Sequence, residues 1–326
     1  MNDWSAAGYE LVAITERSGF DESCHFGAAV GLDRDGSVAW AVGDPDQPVY
    51  GRSSNKPMQA TAMVGLGLEV PDDLLALVCA SHSGTPRHTA GVLDLLGRFG
   101  HTVDDLGNTA GLPLDESSAR EVFRSGGGPA PLTMNCSGKH AGMLATCAIN
   151  GWPTAGYLDQ DHPLQTAITT AVTELSGAEP AHVGVDGCGA PAHVVALSGL
   201  AAAFRRIAVG DDPSQGAVGR AMSSCPFEVG GPGRDVTAFM QGIPGLVAKD
   251  GADGVFAAAL PDGRALALKI ADGGDRARPP VFAAGLRALG IDAEPLRDVW
   301  DVPVLGHGRA VGRVRAAGRI TQLARL

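Results

Sequence analysis

Four lysines stand against twenty-one arginines in this sequence, and three of the four lie among hydroxyls, thiols or acids. They are Lys56 in Arg52-Ser53-Ser54-Asn55-Lys56-Pro57, Lys139 in Asn135-Cys136-Ser137-Gly138-Lys139-His140, and Lys269 in Leu268-Lys269-Ile270-Ala271-Asp272-Gly273. Choosing lysine has a chemical meaning. Arginine keeps its proton inside a protein, whereas a lysine amine loses it when buried or set beside another cation or a metal. A general base, a proton shuttle or a metal-binding amine must therefore be lysine. Lys249, in Ala248-Lys249-Asp250-Gly251, reads as an ordinary turn lysine between two strands.

Ser53 and Lys56 are three residues apart. On the first turn of a helix those positions share a face, so the amine can reach the hydroxyl. A desolvated lysine then serves as the base that turns serine into a nucleophile. The same spacing also describes a helix cap followed by a surface lysine. A second segment, Cys79-Ala80-Ser81-His82-Ser83-Gly84, sets two serines and a histidine before a glycine, an active-site corner or simple helix-ending turn chemistry. A third set is Cys136, Lys139 and His140 with Asp186-Gly187-Cys188. Two thiols with an amine or imidazole could hold zinc, with water or substrate completing the tetrahedron. Against it, keeping an amine neutral at pH 7 costs about 4–5 kcal/mol, and no close C-x-x-C pair supports the metal.

Elements must position these groups. Tyr9 to Thr15, His25 to Leu32 and Ser37 to Val42 read as strands broken by turn signals such as Asp33-Arg34-Asp35-Gly36. A helix starts near Ser54 and runs through Leu66, with Pro57 tolerated in its first turn. From there to about Ala208 the pattern is mostly helical, at Asp72 to Ala80, Arg87 to Phe99, Lys139 to Asn150, Leu164 to Leu175 and Ser198 to Val209, with Ser198 as N-cap. Strand signals return at Gly245 to Lys249, Gly254 to Leu260 and Ala265 to Ile270, spaced by Asp-Gly turns as in an antiparallel meander. A helix at Pro280 to Leu289 and a strand near Ala310 to Val314 close the chain. Strands at both ends with helices between predict an α+β fold: one antiparallel sheet built from the N- and C-terminal segments, with a mostly helical lobe inserted. The expected division is a single two-lobed catalytic domain, with a sheet lobe of about 1–50 and 243–326 and a helical lobe of about 51–242.

Composition narrows the class. Apolar residues at 44% and charged residues at 19% argue for a packed core over disorder. A formal charge of −11 argues against nucleic acid or an anionic membrane as partner. The start, Met1-Asn2-Asp3-Trp4-Ser5, carries an acid and no basic leader, and no long apolar run follows, so the expected location is the cytoplasm with reduced thiols. Cys24, Cys79, Cys147 and Cys225 are expected to be packed core thiols.

Together these segments closely resemble the rhizobial-type L-asparaginases, the asparaginase II family, over nearly the whole chain. The resemblance is carried by Arg52-Ser53-x-x-Lys56-Pro57, Cys79-Ala80-Ser81-His82-Ser83, Asn135-Cys136-Ser137-Gly138-Lys139-His140-x-Gly142-Met143-Leu144, Asp186-Gly187-Cys188 and Lys269-Ile270-x-Asp272-Gly273. It implies hydrolysis of L-asparagine to L-aspartate and ammonia, a homodimer, and a fold similar to serine β-lactamases and penicillin-binding proteins. It also implies two Ser–Lys pairs, Ser53 with Lys56 and Ser81 with Lys269, and a zinc site of Cys136, Lys139 and Cys188. Arg52, Asp186 and His140 are then the expected substrate-binding residues; a structural ion pair for the first two, and a helix-start role for His140, are the alternatives. Gly189 stands where a relative has a bulkier polar residue. Two rivals remain: a penicillin-recognising serine hydrolase, although Lys269 is followed by Ile270-Ala271 and not by [ST]-G, and a non-catalytic zinc-binding regulatory protein.

Overall fold

Short apolar runs build the first strands. In β1 (Glu10–Arg17), Val12, Ala13 and Thr15 are buried; β2 (Phe20–Leu32) is exposed at its start and fully covered from Gly27 to its end. That change marks where β2 passes from a sheet with one wet face into the core. The strands β3 (Val38–Val42) and β4 (Pro48–Tyr50) follow. After a long helical stretch come β5 (His182–Val185) and β6 (Pro191–Ala196), then β7 (Val247–Gly251), β8 (Val255–Ala259), β9 (Ala265–Ile270), β10 (Val302–Gly306) and β11 (Arg309–Ala316). The computed structural model describes residues 8–324, so the opening Met1-Asn2-Asp3-Trp4-Ser5 lies outside the described residues.

The large sheet runs β10-β11-β1-β2-β9-β8-β7, with β3 also paired to β2, and its pairings are antiparallel. It is an α+β sheet made from the two terminal segments of the chain, with the helices inserted between them. Register places Lys269 of β9 opposite Ala28 of β2 and Val255 of β8. Two helices, Leu197–Val209 and Arg278–Ala288, pack on this sheet. Phe282 of the second helix stacks on Phe256 of β8 with ring centroids 4.0 Å apart. The inserted segment also contains helices Lys56–Gly65, Asp72–Val78, Pro86–Arg98, Ser137–Asn150 and Pro163–Ser176.

Some expectations are corrected here. A small second sheet, β4-β6-β5, lies within the part read as helical. Ser198 is not the N-cap of its helix: Ala196 holds that position, and the Ser198 hydroxyl donates to Asp46 at 2.7 Å. Cys79 and Cys147 are core thiols, but Cys24 is exposed and Cys225 only half-buried. Cys24 falls in the wet opening half of β2, where a small side chain needs no burial. Among the described residues, no helix is long and apolar enough to cross a membrane.

Candidate active site

Lys56 begins its helix directly after a 3-10 turn, Arg52–Asn55. The turn is pinned from two sides: Asn55 Nδ2 donates to the His193 carbonyl at 2.9 Å, and Ser54 Oγ to the Lys249 carbonyl at 3.0 Å. Pinned so, the lysine stem runs inward, and the residue is 2% exposed. Its Nζ donates to the Ala80 carbonyl at 2.6 Å, Ser81 Oγ at 2.9 Å and Cys136 Sγ at 3.1 Å. Ser53, one turn earlier, is half-buried and is not among the hydrogen-bond partners of Lys56. Ser81 is the serine that meets Lys56.

Lys269 lies elsewhere in the bonding pattern. Its Nζ donates to the carbonyls of Asp253 and Ile270 at 2.5 and 2.7 Å, and not to Ser81. Burial lowers its pKa, with the Arg52 guanidinium acting in the same sense against the pull of Asp253 and Asp272. Arg52 is itself a strained residue, with φ +50°, and so is Asp253 at +57°. Left-handed backbone at a side-chain-bearing residue costs free energy and persists where surrounding contacts impose it. Here the contacts are ionic: Arg52 Nε donates to Asp186 Oδ1 at 3.0 Å, and its Nη1 to the Asp253 carboxylate. Strain beside Ser53 therefore rests on two carboxylates.

The sulfurs lie behind the Ser–Lys contact. The Ser137–Asn150 helix, which begins after Cys136, brings Lys139 inward one turn later. Lys139 Nζ donates to Cys188 Sγ at 3.1 Å, and Cys136, Lys139 and Cys188 are all buried. The two thiols divide their proton unequally. Cys136 Sγ donates to Asn135 Oδ1 at 3.0 Å; the nearby Cys188 sulfur and burial push its pKa up, while Cys136 and Lys139 push that of Cys188 down. Lys139 feels burial against its charge, but the facing sulfurs outweigh it and raise its pKa. His140 is completely buried, with Nδ1 2.7 Å from the Tyr157 hydroxyl, and burial lowers its pKa to about 4. It stands as a buried, neutral ring. Gly189 has φ +89°, so a glycine after Cys188 suits a backbone that side-chain-bearing residues rarely adopt.

Cys136, Lys139 and Cys188 offer two sulfurs and an amine, donors of the softness that zinc accepts, and among the described residues no group of three or more His, Cys, Asp or Glu side chains is placed to hold a metal ion. His82 belongs to the scaffold. Gly84 N donates to its Nδ1 at 3.1 Å, so the proton sits on Nε2 and faces Ser137 Oγ at 2.9 Å.

Lys249 corrects the sequence reading. It is not a turn lysine but is fully buried in β7, its Nζ donating to the Asp250 carbonyl at 2.8 Å and to Asp250 Oδ1 at 2.5 Å. Burial, helped by Lys56 and Arg234 against the pull of Asp250, lowers its pKa to about 8. Asp250 also accepts from Arg234, whose Nη1 donates to the Ser81 carbonyl at 3.2 Å. Sequence reasoning missed Lys249, Asp250, Arg234 and Asp253; an apolar run containing one Lys-Asp pair was the only signal.

The family model of L-asparaginase II matches residues 13–316 of this sequence. No curated protein matches it closely enough to stand as a relative. Among solved structures, the chain is similar to a β-lactamase from Mycobacterium bovis, at 16% identity over 76% of this chain and 88% of that one, with a TM-score of 0.38.

Proposed function

We infer the reaction from two facts: the chain belongs to the L-asparaginase II family, and its buried Lys56 amine donates to the Ser81 hydroxyl at 2.9 Å. The proposed reaction is hydrolysis of the side-chain amide of L-asparagine to L-aspartate and ammonia.

In this reading Ser53 attacks the amide carbon. It is the half-buried serine, on the strained turn, and lies one turn before Lys56. Lys56, in its neutral form, takes the Ser53 proton as the new C–O bond forms, a step that requires the amine to turn from its resting contact with Ser81 toward Ser53. The Lys56–Ser81 contact then carries a proton to the departing nitrogen as the C–N bond breaks. Water cleaves the aspartyl ester that remains, returning Ser53 and releasing aspartate. Lys269 keeps a positive field at the edge of the site, and Arg52 and Asp186 offer opposite charges to the α-carboxylate and α-amine. Cys136, Lys139 and Cys188 would hold zinc, which when bound supplies a Lewis-acidic anchor for the substrate's α-amino or α-carboxylate group. The homodimer implied by the family resemblance remains part of this proposal.

The test is ammonia release from L-asparagine and L-glutamine, with and without chelator, with nitrocefin as the control for a penicillin-type hydrolase. Release from asparagine without nitrocefin turnover is expected. Acid quenching during turnover followed by mass spectrometry should find the aspartyl ester on Ser53, and hydroxylamine should divert that ester to free aspartyl hydroxamate. An adduct on Ser81 would reverse the roles of the two serines, and no ammonia from either amide would remove the reading.

A further inference from the structure

Behind the Ser81–Lys56 contact lies a set of buried charges that the reaction above does not use. Lys249 is wholly enclosed, Asp250 is 5% exposed, and Arg278 is 8% exposed. Asp250 stands between two cations, accepting from Lys249 on one side and Arg234 on the other. Arg278 donates to Asp235 at 3.1 Å, to Asp275 at 3.1 Å and to the Gly251 carbonyl at 3.2 Å. Lys249, Asp250, Arg278 and Asp235 are thus charged and largely enclosed, with Arg234 partly exposed and Asp275 at the surface. A buried ionic set of this kind costs more in desolvation than well-packed apolar residues of similar volume. Its presence therefore calls for a job that apolar packing would not do.

The contacts at its two ends name that job. At one end the Lys249 carbonyl accepts from Ser54 Oγ, the residue after Ser53. At the other, Arg234 Nη1 donates to the Ser81 carbonyl. The backbone of the same corner is held by neighbouring carbonyls, with Ser81 N donating to Val229 at 3.2 Å and Ser83 N to Gly230 at 2.8 Å. Those bonds run along one edge of the corner. The Arg234 contact is the one that ties it to β7, and through β7 to the turn bearing Ser53.

We propose that Lys249, Asp250 and Arg234 form a positioning relay that fixes the Ser81 corner relative to the Ser53–Lys56 turn. They are positioning residues: none touches the reacting atoms. Asp250 is the joint, because it alone bonds both the strand cation and the guanidinium that reaches Ser81. The guanidinium is required for its fork, since one nitrogen serves Asp250 while another serves the carbonyl, and a lysine at 234 cannot span both in that geometry. The inference rests on the proposed reaction, because its meaning is the spacing between two reacting segments.

The experiment uses the full chain with Arg234→Ala, Arg234→Lys and Asp250→Asn, each read by asparaginase kinetics and by a crystal structure. For Arg234→Ala, kcat should fall by about 10²-fold, the effect of a small misplacement, while KM stays near the wild-type value. Arg234→Lys should recover little. Added guanidinium should restore much of the kcat of Arg234→Ala and none of that lost in Ser81→Ala. In the crystal structure of Arg234→Ala the Lys56 Nζ to Ser81 Oγ contact, 2.9 Å in the wild type, should open beyond hydrogen-bond distance. A contact still closed in Arg234→Ala overturns the relay whether or not the enzyme is active. If wild type releases no ammonia but the contact opens, the relay stands and the reaction assignment falls. Should Arg234→Ala fail to fold, Asp250→Asn carries the same structural readout, and an unchanged contact there overturns the proposal.

Discussion

Replacing Gly138 by alanine puts a methyl group where the first turn of the Ser137–Asn150 helix meets the end of the Asp72–Val78 helix. The new Cβ would stand 2.4 Å from the Leu77 carbonyl oxygen, 2.8 Å from Leu77 Cγ and 3.0 Å from the Leu77 carbonyl carbon. Two of these atoms are backbone and cannot swing aside. A carbon–oxygen contact relaxes at about 3.3 Å, so the two helix ends must part by about 1 Å. One end leads into Ala80 and Ser81; the other starts after Cys136. Lys56 donates to all three, so parting them stretches the junction of the hydroxyl and the sulfur. Overpacking of this kind costs about 1–3 kcal/mol of stability, and a 1 Å misplacement costs about 10²-fold in rate. The assay pairs kcat for ammonia release with the melting temperature and the far-ultraviolet circular dichroism spectrum. The expected variant is folded, melts a few degrees lower and turns over about a hundredfold more slowly. Wild-type kcat in a folded Gly138→Ala would refute the idea that this close approach sets the spacing of the site.

Lys56→Met keeps the stem and removes the amine, so activity should drop by about 10²–10⁴-fold, the range of a lost general base, with the circular dichroism spectrum unchanged; near-normal turnover would count against the Ser–Lys chemistry. Cys188→Ala should lower bound zinc, measured by elemental analysis, and chiefly raise KM; a pure loss in kcat would place the sulfur in the chemistry itself. Lys249 sets a stability window. Its pKa lies at about 8 in the fold against 10.5 for an ordinary lysine, so between those values the unfolded chain holds a proton that the folded chain has lost, and stability gains with rising pH. Urea titrations should show wild type gaining up to about 3 kcal/mol on Lys249→Met from pH 8 to 10.5; a constant difference across that range would contradict the buried amine.

Much of the fold was legible because both terminal segments carry short apolar runs separated by turn signals such as Asp-Gly. The strand read as Ala265 to Ile270 has those bounds, and the helices read around Arg87 to Phe99 and Leu164 to Leu175 differ from the structure by a residue at their ends. The second sheet was not legible. β4 is three residues long, β5 four, and β6 opens on Pro191 and carries a histidine, so none shows an alternation long enough to read. The cap at Ser198 failed for a related reason: its hydroxyl found a tertiary partner in Asp46, which no local pattern encodes.

The site divides along the same line. Motif residues were legible in part, since Lys56 meets Ser81 and Cys136, and Lys139 meets Cys188, but the pairing of serines with lysines was not. Sequence spacing favours Ser53 for Lys56, whereas the folded chain carries the lysine stem past that turn to a serine 25 positions later. A local helical face can be read from three-residue spacing; a contact across two segments depends on where their elements dock. Lys249 shows the same limit from the other side, because an isolated Lys-Asp pair in a strand looks like a turn until the sheet closes over it. Its burial also completes the opening contrast between the two cation types. Arginine supplies fixed charge, both in exposed pairs such as Arg98 with Asp94 and in the enclosed Arg278 cluster. Lys56, Lys139 and Lys249 are buried and Lys269 is half-buried, each bonded to carbonyl, hydroxyl, sulfur or carboxylate. The chain spends no lysine on plain surface charge, which is the distribution expected if a removable proton is what those positions require.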